Sequence, residues 1–215
     1  MTITQIVYQK KDPNRVSLFI DGSFVCGISV NTLAKYNLYE SKDIFQEEID
    51  NLLLEDLSER FFNRAVDYIA RVPKSEYSVK KYLRELKYKK QNKWFDKDIP
   101  LDWETLYGKI IDRLKEYKYI DDEAFARMFV NSRLTNKPRG KSVLIGELLS
   151  KGIDKELAIQ VCNELVEDEL DILDKAFKKR FKEEKLDLKN TKMVSFLMRK
   201  GFNWDLIERY SKDES

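Results

Sequence analysis

From Leu57 to the C-terminus, apolar residues return every three or four positions, the period of helices that bury one side. Leu57, Phe61, Ala65, Tyr68 and Ile69 share a face, because a helix of 3.6 residues per turn brings such spacings back to nearly the same direction. Leu106, Ile110, Leu114 and Tyr117 do the same. So do Leu157, Ala158, Val161, Cys162 and Leu165, and again Leu170, Leu173, Phe177 and Phe181. Pro73, Pro100 and Pro138 stand where the periodicity breaks, as residues without a backbone N–H should. The apolar residues of these stripes, with Trp94, Trp103 and Trp204, are expected in the core.

The helical part carries an internal repeat: a long helix with a small residue, a polar basic loop, a short helix, a turn and a third helix. The short helices superpose as Tyr82-Leu83-Arg84-Glu85, Glu147-Leu148-Leu149-Ser150 and Phe196-Leu197-Met198-Arg199. Ala65, Ala126 and Ala176 precede them, and Ile110-Ile111, Ala158-Ile159 and Leu206-Ile207 follow. After the second and third short helices come Lys151-Gly152-Ile153 and Lys200-Gly201-Phe202. A glycine there takes the left-handed conformation that ends a helix, and the lysine faces the negative helix end. Asp154 and Asn203 then stand where the next helix needs a cap. In the first repeat, Lys87-Tyr88 replaces the glycine turn and an insertion runs to Asp102.

The front of the chain has a different rhythm. Ile3 to Tyr8 and Val16 to Ile20 are strand-prone, and Asp21-Gly22 supplies a tight hairpin turn before Phe24-Val25-Cys26. Ser29 caps a short helix through Asn37, and Ser41 precedes Glu47-Glu48 and Leu52-Leu53-Leu54. The fold expected is mainly α: tandem three-helix repeats in a curved array, with a small N-terminal unit containing a β-hairpin. Its expected divisions are residues 1–55 for the β-containing unit, then repeats at 56–120, 121–166 and 167–215.

Composition narrows the chemistry. The chain has no histidine, which removes the usual acid–base group near neutral pH and the commonest zinc ligand. Cys26 and Cys162 lie far apart in apolar-periodic stretches and are expected as buried free thiols of a reducing cytoplasm. No run is long and apolar enough to span a membrane, and Met1 is followed by polar and strand-like residues, so no secretory signal is expected. Neither catalytic residues nor a metal or cofactor are expected. Lys and Arg total 40 against 38 Asp and Glu. Residues 1–55 sum to −3 and residues 56–120 to +5, while 121–166 and 167–215 are neutral. A partner offering both charge signs fits this better than bare DNA.

Residues 119–153 carry Asp121-Asp122, Phe125-Ala126, Arg133, a basic loop Lys137-Pro138-Arg139-Gly140-Lys141, and Glu147-Leu148 before Lys151-Gly152-Ile153. This ordered set closely resembles the RecX family of recombination regulators. Arg199-Lys200-Gly201-Phe202 resembles that family's last repeat, Val79-Lys80-Lys81-Tyr82-Leu83 its first, and the Asp21-Gly22 front end an extension carried by some members. The resemblance implies a modulator of RecA that lies in the groove of the RecA filament on single-stranded DNA. It implies suppression of RecA's ATP hydrolysis, strand exchange and co-protease activity, and hence a role in DNA repair, recombination and the SOS response. A monomer is expected, and direct contact with DNA is left open. The alternative is a helical DNA-binding module of helix-turn-helix type acting without RecA; the near-neutral C-terminal repeats argue against it.

Arg133, Lys137, Arg139 and Lys141 lie in a stretch without acidic residues and are the first candidates for partner binding, with Arg127 and Lys151 beside them. Six residues advance about 600° around a helix, so Arg127 and Arg133 do not share a face. A second basic stretch, within residues 74–97, holds Lys80, Lys81, Arg84, Lys87, Lys89, Lys90 and Lys93, interleaved with Tyr77, Tyr82, Tyr88 and Trp94. That pattern suits stacked bases and phosphates, and equally an exposed helix with a buried aromatic side. Asp121 and Asp122 are read as a helix cap with favourable charge in the first turn, ahead of a catalytic or metal role.

Overall fold

The computed structural model describes residues 1–95 and 101–213. Lys97 and the expected break at Pro100 lie outside them. Contacts divide the chain into two compact units, Met1–Tyr68 with Tyr82–Leu114, and Ile69–Lys81 with Lys115–Ser215.

The first unit opens with an antiparallel meander, β1 (Ile3–Gln9), β2 (Asp12–Ile20) and β3 (Ser23–Ser29). Asp21 and Gly22 both take positive φ, 48° and 81°, as a two-residue hairpin demands. A second tight turn at Lys10-Lys11 makes three strands where the sequence reading expected one hairpin, with Gln9 pairing Asp12. The inward face carries Ile3, Val16, Leu18, Ile20, Cys26 and Ile28, which bury against Ile44, Ile49 and Leu52. Burial pushes the Cys26 thiol up to about 11, so it is a packing residue. Ser29 caps α1 (Val30–Lys35), its hydroxyl accepting from the Thr32 N–H at 3.0 Å.

The helix α2 (Gln46–Arg71) begins eleven residues before the Leu57 stripe and runs unbroken through residues 55 and 56. Its start is fixed by Glu48, whose carboxylate accepts from the Phe45 N–H at 2.9 Å. The reason the stripe was invisible there is Asp56, a charged residue only 4% exposed on the core side. Its carboxylate takes Arg60 Nε at 2.7 Å and Arg15 Nη2 at 3.0 Å. Both guanidinium groups also donate to the Gly27 carbonyl on β3. One buried acid therefore ties strand β2, strand β3 and helix α2 together. Phe61 lies below, with Trp94 at 5.8 Å and Trp103 at 5.7 Å between ring centres.

The helices that follow are α3 (Glu76–Lys90), α4 (Trp103–Glu116), α5 (Asp122–Asn136), α6 (Lys141–Ser150), α7 (Lys155–Leu165), α8 (Glu169–Phe181), α9 (Thr191–Arg199) and α10 (Trp204–Asp213). In keeping with a helical repeat fold, we group them as α2–α4, α5–α7 and α8–α10. Helix α3 continues through Lys87-Tyr88 to Lys90, so the first repeat has no turn at that point. In the second unit a single core joins Phe125, Ala126, Leu144, Leu148, Val161, Cys162, Phe177, Leu197, Phe202 and Ile207. Two expected core residues are exposed, Tyr117 at 53% and Trp204 at 46%. Tyr117 falls just past the end of α4. Trp204 is the first residue of α10, and side chains lean toward a helix N-terminus, past the end of the core.

Removing the Asp56 carboxylate strands two guanidinium groups in a mostly dry site. Asp56→Ala is expected to cost about 3 kcal/mol or more of unfolding free energy, measured by urea denaturation, with Lys10→Ala unchanged as the control.

Candidate functional site

The repeats of the second unit meet through one joint used twice. A helix starts with backbone N–H groups that have no partner within the helix. At α6 the cap position is Gly140, which has no side chain to offer. The acceptor comes from the next repeat: Glu169, first residue of α8, takes the Lys141 N–H at 2.7 Å. At α3 the same place is filled by Asp122, first residue of α5, which takes the Glu76 N–H at 2.8 Å. Burial lifts the Asp122 carboxyl above its usual range, against the pull of that N–H. Its neighbour Asp121 caps its own helix, accepting from Ala124 N at 2.9 Å. The acidic pair thus has two capping jobs, one local and one across a joint.

The Lys-Gly turns complete these joints. Gly152 and Gly201 have φ of +77° and +94°. The Lys151 carbonyl accepts from Ser75 Oγ at 2.7 Å, and the Lys200 carbonyl from Gly140 N at 2.9 Å. A Cβ on Gly152 would overlap Tyr77, and one on Gly201 would overlap Val143. Gly140 is equally constrained, since a Cβ there would run into the Gly201 carbonyl.

The second joint gathers positive charge. Arg133 Nε donates to Glu147 Oε2 at 2.7 Å, and the guanidinium lies 4.8 Å above the Phe129 ring centre. Arg139 Nε approaches Glu147 Oε1 at 3.2 Å, an ionic contact whose N–H is not aimed at the oxygen, so this buried nitrogen makes no hydrogen bond. Lys200, 5.3 Å above the Phe196 ring, is pushed below the ordinary lysine range. Burial of its ammonium is the first cause, then the positive charges of Arg139, Lys179 and Lys137, with Glu147 acting the other way. Lys179 reaches the joint from the end of α8, donating to the Asn136 carbonyl at 2.7 Å. Two arginines thus hold Glu147, three lysines gather beside them, and Glu169 is the second carboxylate of the joint.

The structure brings Arg133, Lys137 and Arg139 of the expected set together there. Lys141 reaches only to Asn163, at 3.5 Å. Arg127 is engaged elsewhere, by Glu123 at 2.9 Å and Glu164 at 2.6 Å, and Lys151 is exposed at the other joint. The second basic stretch is divided: Lys80 and Lys81 fall in one compact unit, and Arg84, Lys87, Lys89, Lys90 and Lys93 in the other. Lys80 pairs with Glu76 at 2.7 Å, Arg84 with Glu104 at 2.8 Å, and Lys89 with Glu85 at 3.7 Å. Lys87 and Lys90 lie over the rings of Trp103 and Trp94, at 4.7 and 4.9 Å, and Lys93 is exposed. Lys179, Lys200 and the hub Glu147 were absent from the sequence-derived set. Only the cap-position glycine, Gly140, hinted that a neighbouring repeat must complete this loop.

Fold and site together define a tandem three-helix-repeat protein with a cationic inter-repeat joint. Residues 1–44 match the model described as "Regulatory protein RecX N-terminal domain", and residues 121–161 that of "RecX, second three-helix domain". The regulatory protein RecX of Bacillus licheniformis is 30% identical over 209 residues, covering 95% of this chain and 74% of that protein. That of Clostridioides difficile is 27% identical, over 96% of this chain and 92% of its own. A crystal structure of regulatory protein RecX superposes with a TM-score of 0.73 at 21% identity, covering 99% of this chain and 98% of that one. RecX from Lactobacillus salivarius gives 0.54 at 22% identity, over 73% of this chain and 95% of that one. This chain belongs to the RecX family of regulatory proteins.

The joints set two stability tests. Glu169→Ala removes the acceptor that Gly140 cannot replace and should cost about 1 kcal/mol. Gly201→Ala forces a side chain into the left-handed region and should cost about 1–2 kcal/mol from the backbone alone, with more from the overlap on Val143. Urea unfolding of each variant checks both; a cost no larger than that of Thr191→Ala would remove the joint from the account.

Proposed function

We propose that this chain regulates homologous recombination and the SOS response by binding the RecA filament on single-stranded DNA. It occupies the filament groove as a monomer in the cytoplasm and lowers RecA's ATP hydrolysis, strand exchange and co-protease activity, without making or breaking covalent bonds itself. The observation that carries this reading is the joint at Glu147, where Arg133, Lys137 and Arg139 converge with Lys179 and Lys200 within a chain of RecX family repeats. A mixed partner surface suits it, because the repeats outside the joint are laced with exposed ion pairs of both signs. The expected three repeats after a front unit supply the length for a groove, and Lys141, Arg127, Lys151 and the residue 80–93 cations act as flanking contacts.

The test is RecA's DNA-dependent ATPase at rising concentrations of the purified chain. Inhibition is expected. Lys137→Glu with Lys141→Glu, both at polar positions outside the core, should raise the concentration needed by about tenfold, roughly 1.4 kcal/mol. An unchanged ATPase together with no co-sedimentation with RecA filaments would refute the function. Wild-type inhibition by the double variant would instead remove this loop from the contact surface.

A further inference from the structure

We propose that the joint formed by Arg139, Lys137, Lys179 and Lys200 is a phosphate-binding site for the backbone of single-stranded nucleic acid. The four side chains come from three separate segments, the α5–α6 loop, the end of α8 and the α9–α10 turn, and the Gly140–Lys200 hydrogen bond at 2.9 Å holds two of those segments together. Two observations point to an anion as the ligand. Arg139 Nε is buried and makes no hydrogen bond, although Glu147 Oε1 lies 3.2 Å away. Lys200 sits half-buried among like charges that depress its basicity, with an aromatic ring beneath it and no carboxylate in ion-pair range among the described residues.

The chemistry selects phosphate over a protein carboxylate. Two carboxylates are already present: Glu147 engages Arg133 and Arg139, Glu169 takes the Lys141 N–H, and among the described residues neither ion-pairs with Lys137, Lys179 or Lys200. An anion with several acceptor oxygens and a close neighbour of the same charge is what remains to be matched. The geometry also selects backbone over base. The two rings at this joint, Phe129 and Phe196, each carry a cation, Arg133 and Lys200, and pack against Phe125 and Phe181, which makes them poor platforms for stacking. Contact with phosphates alone positions a strand without reading its sequence. This inference rests on the reading that the joint faces a nucleoprotein, and it makes nucleic acid, rather than RecA alone, the thing touched there.

The experiment measures binding of the full chain to a fluorescent single-stranded oligonucleotide without RecA, over a salt series, beside an abasic strand of equal length. The two strands should bind within about twofold of each other. Lys179→Gln with Lys200→Gln should weaken both by about tenfold and flatten the log–log salt slope by about 1.4, two contacts at about 0.7 each for single strands. Lys179→Arg with Lys200→Arg should retain binding. Lys10→Gln with Lys11→Gln, an equal charge change on the β1–β2 turn, should lose little. Inorganic tripolyphosphate should compete better than poly-glutamate of equal charge. An equal loss in the β-turn variant, an unchanged salt slope, or poly-glutamate competing as well as tripolyphosphate would overturn the site. Inhibition of RecA with no oligonucleotide binding would sink this site and leave the function standing, whereas oligonucleotide binding with no effect on RecA would do the reverse.

Discussion

A helix needs acceptors for its first N–H groups, and here the second helix of a repeat borrows one from the repeat that follows. Asp122 serves α3 and Glu169 serves α6, each from the first position of the next repeat. The repeats that contain α3 and α6 are therefore incomplete alone, which is how a stack of small bundles acquires a fixed order and direction. In the α8–α10 repeat, α9 is capped by its own Asn190, whose side chain accepts from Lys192 N and Met193 N.

The joint constrains charge as well as backbone. To let the Lys200 carbonyl meet Gly140 N, the chain must bring the lysine of one turn beside the basic loop of another. Like charges at that distance cost energy, and burial of part of the Lys200 ammonium adds to it. Glu147 offsets some of this by holding Arg133 and Arg139, each about one-quarter exposed at the side chain. The proposed phosphate would act in the same sense as Glu147, since both place negative charge beside Lys200. Stress retained at a surface joint is a physical reason to look for a partner there.

Periodicity made most helices legible, because each repeat buries one stripe, and the Lys-Gly turns announced their own conformation. What periodicity hides is a polar residue doing a core task. Asp56 breaks the α2 stripe because two arginines come to it from β2 and from its own helix, so the helix start at Gln46 was not visible. Likewise Asp121 and Asp122 read as one local cap, since the second acid's partner is 46 residues away. The candidate site was half legible. The cations of the α5–α6 loop are adjacent in sequence, whereas Lys179 and Lys200 join them only through the fold.

The two joints share backbone geometry and differ in charge, which separates what builds the array from what it binds. The residue after the cap position is Glu76 at the first joint and Lys141 at the second. Glu76 is held ionised against its burial by Lys115 and Lys80, which draws cations inward and neutralises them. At the second joint no acid fills that place, Glu169 is turned to the Lys141 N–H, and Glu147 pairs only with Arg133 and Arg139 among the cations gathered there. The same fold device thus yields one silent joint and one electropositive joint. The folding role belongs to the N–H acceptors Asp122 and Glu169, and the proposed binding role to side chains that those acceptors bring together.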